Sequence, residues 1–164
     1  MPDPMIPNPA GLYGLSGVPP VQFVEMVNNS GGTLLPGDVV CFTTDVTGVL
    51  VTTSATVNDK TVLGVVAAKV PTDSVNTQSA TGPGLPYAAG AVIPVIVKGT
   101  ARIQVGANNP AAGDLLTNSA AKTANTNAGA PAANAVTGSI IGVALEAGAA
   151  KDANNTIRAY ISKI

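Results

Sequence analysis

Short β-branched runs, each closed by Gly, Asn, Asp or Pro, dominate this chain from Val21 onward. They are too short for helices and have the composition of strands, so strands are nearly all the sequence can build. The runs cover residues 21–27, 39–44, 49–53, 62–68, 91–97, 101–105, 140–145 and 157–161. Asp45-Val46-Thr47-Gly48 reads as the turn between the second and third runs, and Lys98-Gly99-Thr100 as a turn between the fifth and sixth. Pro94 has no N–H to give to a ladder and predicts an edge strand or a bulge. The Ala-rich stretch 111–135 has helix-favouring composition, but Gly113, Gly129 and Pro131 interrupt it. It predicts mostly loop, with a short turn of helix after Pro110. Residues 71–90 and 117–138 predict two long loops, natural contact elements in an assembly protein.

A faint internal repeat runs through the chain. Pro36-Gly37-Asp38-Val39-Val40 matches Ala112-Gly113-Asp114-Leu115-Leu116, 76 residues on. Leu63-Gly64-Val65-Val66 matches Ile141-Gly142-Val143-Ala144, 78 residues on. Near-equal offsets in the same order predict two similar β units. In each, a Gly-Asp turn feeds one strand, and a later apolar-Gly-apolar strand brings two backbones close. Two such units sharing a core suit a small barrel or a sandwich. The expected organisation is an arm over residues 1–20 and a single β domain over 21–164.

The first twenty residues differ from the rest. Pro2, Pro4, Pro7, Pro9, Pro19 and Pro20 prevent a helix or a central strand. A frayed terminus and an arm across a neighbouring subunit both fit this segment. Ile6, Leu12, Tyr13, Leu15 and Val18 give it apolar anchors that a free polar tail would lack, and the arm is the expectation taken forward.

Composition then narrows function. Charged residues are 10% of the chain against about 25% in an ordinary soluble domain, apolar residues are 46%, and mean hydropathy is +0.35. Surface covered by partners and polarity from Ser, Thr and Asn both account for this. The absence of His removes a Ser-His-Asp triad and a His-ligated zinc site. One Cys allows neither an internal disulfide nor a CxxC pair. A net charge of −1 argues against nucleic acid as a partner. There is no run of 18 apolar residues to span a membrane as a helix, and MPDPMIPNP has no basic and apolar leader pattern, so no secretory signal is expected.

The best carboxylate pair is Asp38 and Asp114, at matched positions, but Asp after Gly before a strand is ordinarily a turn residue bonding nearby amides. Cys41 sits in an apolar run and reads as a small core residue. Gly82-Pro83-Gly84 and Gly31-Gly32 fit no phosphate-binding loop. No catalytic, cofactor-binding or metal constellation is expected, and no cofactor. A carbohydrate or small-ligand β module needs aromatic platforms, and only Tyr13, Tyr87, Tyr160, Phe23 and Phe42 are available, with no Trp.

Gly37-Asp38-Val39-Val40, Val62-Leu63-Gly64-Val65-Val66, the strand from Gly90 to Gly99, Ala112-Gly113-Asp114-Leu115-Leu116, Ile140-Ile141-Gly142-Val143-Ala144-Leu145 and a final strand over 156–164 follow one another in a familiar order. Over residues 33–164 this order resembles tailed-bacteriophage capsid decoration proteins, also called cementing or head-stabilising proteins. The resemblance implies an all-β fold, a small β-barrel of the β-tulip kind with an extended N-terminal arm; the long 71–90 and 117–138 loops expected here depart from the family pattern. It further implies a homotrimer on the outer surface of the expanded head, with the major capsid protein as partner. In that setting Ile6, Leu12, Tyr13, Leu15 and Val18 are the expected capsid or neighbour-subunit contacts. A non-enzymatic virion protein is the expectation; a tail-tube or head-fibre subunit, and then a small-ligand β module, are the alternatives.

Overall fold

The computed structural model describes residues 21–45, 47–54, 56, 59–67, 86–105, 109–119, 124–126, 138–152 and 155–162. Nine strands account for nearly all of its regular structure: β1 (Gln22–Asn28), β2 (Val39–Phe42), β3 (Leu50–Thr52), β4 (Val62–Val66), β5 (Val92–Gln104), β6 (Leu115–Asn118), β7 (Ala124–Thr126), β8 (Ile140–Ala144) and β9 (Thr156–Ser162). A single 3₁₀ turn at Gly148–Ala150 is the one helical element among the described residues.

The strands form one sheet in the order β1-β3-β2-β4-β5-β9-β8-β6-β7, and β1 pairs β5 as well. That second pairing closes β1, β3, β2, β4 and β5 into a five-stranded barrel, so the all-β barrel expected from the sequence is what forms. The β1–β3 pair is parallel; every other pair is antiparallel. Alternation divides the apolar residues between two cores. Met26, Leu34, Val40, Val51, Ile93 and Val95 fill the barrel. Val39, Cys41, Ile103, Leu116, Ile141 and Ile157 belong to a second core outside it, between the barrel wall and the β9-β8-β6 extension. Neighbouring residues of β2 thus serve different cores, which is why its run is apolar without alternation. Burial of each such side chain contributes roughly 1.5–3 kcal/mol.

The repeated motifs adopt matching geometry. Val39, Val40 and Cys41 pair Val65, Gly64 and Val62, with a bulge between Val40 and Cys41. Leu115, Leu116 and Thr117 pair Val143, Gly142 and Ile140, with a bulge between Leu116 and Thr117. Gly37 and Gly113 both have φ of +93°, a conformation natural to glycine. Their N–H groups donate to Val66 O at 2.9 Å and Ala144 O at 2.8 Å.

Two sequence expectations give way here. Lys98-Gly99-Thr100 is no turn: β5 runs through it, and Gly99 takes φ +115° within the strand. A hairpin would need the two flanking runs to pair with each other. Instead the first pairs β1 and β4, and the second pairs β9. Pro94 is neither on an edge strand nor at a bulge. Its carbonyl accepts from Ala67 N–H just past the end of the β4 ladder, so its missing N–H falls where that ladder has stopped.

The Ala-rich stretch also differs. Ala112-Gly113 form a turn where a short helix was expected, and β6 and β7 occupy part of the expected 117–138 loop. Residues 1–20, 68–85, 120–123 and 127–137 lie outside the described residues, and with them most of both long loops.

Two buried asparagines tie the connections down. Asn28 donates to Gly32 O, Tyr87 O and Ala88 O at 2.9, 3.2 and 3.0 Å, and its Oδ1 accepts from Ser30 N–H at 3.0 Å. Asn118 donates to Thr56 O at 2.6 Å and accepts from Asp59 N–H at 2.8 Å, joining the end of β6 to the loop before β4.

Candidate interaction surface

The first half of β1 stands out from the body. Met26 and Asn28 point into the barrel and are buried, but residues 22–25 are exposed on both faces. The cause is the length of β3, whose ladder with β1 reaches only Val27 and Asn28. Among the described residues, 22–26 therefore have β5 on one side and no strand on the other.

The hydrogen-bond phase fixes which backbone groups face the open side. Val27 N–H donates to Val49 O toward β3, whereas Asn28 N–H donates to Ala91 O toward β5. In an antiparallel ladder this alternates, so the N–H and C=O of Phe23 and Glu25 face the open edge.

The side chains there are apolar. Phe23 is 62% exposed and Val92 60% exposed, and Val21, Val24 and Val49 are exposed as well. Phe23 stands opposite Ile96, Glu25 opposite Pro94 and Val27 opposite Val92. One outer face of the β1–β5 pair thus carries Phe23, Val27, Val92, Pro94 and Ile96, with Glu25 among them and Lys98, opposite Gln22, at its end. Isolated exposed apolar residues are normal; a contiguous set along an unpaired strand marks an interaction site.

Arg102, Arg158, Glu146, Asp152 and Asp45 are engaged elsewhere. Arg102 donates to Asp152 Oδ2 at 3.1 Å and lies 4.0 Å from Glu146, whose Oε1 accepts from Arg158 Nε. The Arg158 backbone N–H bonded to Glu146 holds that carboxyl below the usual glutamate range; both guanidinium groups add to this, and partial burial opposes it. Asp45 accepts from the hydroxyls of Thr43 and Thr47, which hold its carboxyl at about 2. Burial pushes the Tyr87 phenol up, and its OH donates to Ala67 O at 3.1 Å.

Asp38 and Asp114 serve their own turns. Asp38 Oδ2 accepts from Leu35 N–H at 2.8 Å, and Asp114 Oδ2 from Ala111 N–H at 2.7 Å. Ser30 Oγ is bonded to Asn28 Oδ1, and Ser54 Oγ to Asp59. Cys41 is buried in the second core. Among the described residues there is no group of three or more Cys, Asp or Glu placed to hold a metal ion, and no helix long and apolar enough to cross a membrane.

The expected arm contacts Ile6, Leu12, Tyr13, Leu15 and Val18 lie outside the described residues. Sequence reasoning named Phe23 only as an aromatic residue and missed the open edge. The available signal was Val21, Phe23 and Val24, apolar residues that do not follow one alternation.

No protein-family model matches the chain, and no curated protein does. Among solved structures, a chain of the capsid of Myoviridae phage XM1 is similar, with a TM-score of 0.57 and 23% identity over 88% of this chain and 85% of that one. The head fiber gp8.5 N base of bacteriophage phi29 aligns over 88% of this chain and 98% of that one at 14% identity, with a TM-score of 0.47. The chain shares its barrel fold with the first of these.

Proposed function

We propose that this protein is a structural, non-enzymatic component of a tailed-phage particle, a decoration protein that binds the outer surface of the expanded head and cements it. The observation that carries this reading is the fold held in common with a phage XM1 capsid chain across most of both lengths. The charge-poor composition and the exposed apolar strand support a protein that works by covering surface.

In this reading residues 1–20 are an arm, residues 21–164 are one β domain built from two similar units, and three copies form the binding unit. The major capsid protein is the partner, and Ile6, Leu12, Tyr13, Leu15 and Val18 are the arm's contacts. The mechanism is linkage. A ligand that binds the expanded lattice and not the compact precursor stabilises the expanded state by its difference in affinity. Many copies on one lattice add to the effect.

The test is to incubate purified protein with expanded and with unexpanded heads lacking it, and to sediment both. Binding to expanded heads, with a rise in their melting temperature, is expected. Absence of binding to expanded heads rejects the reading.

A further inference from the structure

The open stretch of β1 is its own complement. Among the described residues, 22–26 lack a strand on one side, and Val24 is the middle residue of that stretch. The backbone groups that face outward belong to Phe23 and Glu25, one residue before the middle and one after it. Two such strands, laid antiparallel about a twofold axis at Val24, set Phe23 of each copy opposite Glu25 of the other. Residues paired in this phase exchange both of their N–H···O=C bonds. Every outward donor and acceptor of Phe23 and Glu25 is then used on both copies.

The neighbouring registers do worse. Moving the axis to Glu25 sets two carboxylates directly opposite, which destabilises a sheet. It also drives each strand into the place that β3 takes beside Val27. Moving the axis to Phe23 leaves Glu25 reaching past Gln22, where β1 begins.

The charges favour the same register. Among the described residues, neither Glu25 nor Lys98 has an ion pair or a side-chain hydrogen bond. Lys98 stands opposite Gln22 on β5. In the pair, Glu25 of one copy lies beside Phe23 of the other, with about 10 Å between its Cα and that of the other copy's Lys98, from the strand spacing and rise. The two side chains together span that distance, so each copy offers one carboxylate and one ammonium across the axis. At each end the strand of one copy reaches the start of β3 in the other, where Val21 and Val49, 42% and 46% exposed, meet.

We propose that two copies join edge to edge through antiparallel pairing of residues 22–26, which makes one continuous sheet through both barrels. A twofold contact cannot link three copies in a ring. In the decoration reading it joins one unit of three to the next, but it goes beyond that reading and does not depend on it.

The test uses the full chain. Val24 meets its counterpart on the axis in a non-hydrogen-bonded pair, with Cα atoms about 4.5 Å apart, within disulfide reach. Phe23 and Glu25 each stand about 9 Å from their own counterparts, beyond that reach. The native Cys41 is buried, so an introduced thiol is the accessible one. Mild oxidation of concentrated Val24→Cys is expected to give a disulfide dimer about tenfold above Phe23→Cys or Glu25→Cys. In the Val24→Cys background, Glu25→Lys and Lys98→Glu each bring like charges together across the axis and are expected to cut the dimer several-fold. Mixing those two variants is expected to restore it as a mixed dimer, identified by mass. Equal trapping at positions 23, 24 and 25, no dimer from Val24→Cys, or a mixture that recovers nothing would each overturn the proposal. Any of these in a protein that still binds expanded heads leaves the decoration reading standing. Trapping at Val24 in a protein that fails to bind such heads supports the edge contact and rejects the decoration reading.

Discussion

Arg102 and Arg158 stand directly opposite each other in the β5–β9 ladder, two like charges on one face, and the Glu146 carboxylate serves both. Opposed like charges destabilise a sheet unless something neutralises them. Glu146→Gln keeps the shape and removes the charge. The expected loss is about 0.2–1 kcal/mol, since both guanidinium groups are well exposed to solvent. Chemical denaturation checks it, and replacing Arg158 by Met in the same background is expected to recover part of the loss.

Acid sensitivity follows from two carboxyls held below their ordinary values. Glu146 is depressed, and Asp45 lies at about 2. A carboxyl with a lowered folded-state pKa contributes stability that is fully present above its unfolded value. That contribution disappears as pH falls through the folded value. The melting temperature is therefore expected to be insensitive to these groups above about pH 5 and to fall from there toward pH 2. Asp45→Asn should flatten the lowest part of that curve, as read by a pH series of thermal melts.

Gly64 and Gly142 admit no side chain. A Cβ would lie 2.1 Å from Ile96 O at the first and 2.1 Å from Tyr160 O at the second. Alanine at either site must push one strand from its neighbour, at a cost of about 1–3 kcal/mol. Gly32→Ala, where a Cβ meets open space, is expected to change stability little. Denaturant midpoints of the three variants make the comparison.

Asn28→Ala removes a buried amide that ties together the carbonyls of Gly32, Tyr87 and Ala88, each of which keeps a second donor in Ser30 Oγ, Leu34 N–H and Ala91 N–H respectively. A loss of about 0.5–1.5 kcal/mol is expected. Faster amide hydrogen exchange should appear at Gly90 and Ala91, whose backbone lies beside Asn28 in the ladder.

Much of this fold was legible because β-branched residues report strands wherever they cluster. The Gly-Asp and apolar-Gly-apolar repeats were legible because glycine at a close approach cannot be replaced. What stayed hidden depends on partners distant in sequence. Gly99 looks like punctuation until β9 is seen to pair along its flank. The three residues Ala124–Thr126 carry no strand signal of their own and become β7 only by meeting β6. The exposure of Phe23 follows from where β3 begins, a property of another segment altogether. The turn roles of Asp38 and Asp114 were legible, because their geometry is local.

β5 belongs to both halves of the molecule, walling the barrel with its first residues and carrying β9 with its last. Because Val92–Gln104 is one continuous strand, there is no linker at which the halves could swing apart. Force applied to the outer sheet travels along a covalent beam straight into the barrel. The molecule should yield as a single mechanical element, with one rupture event under tension.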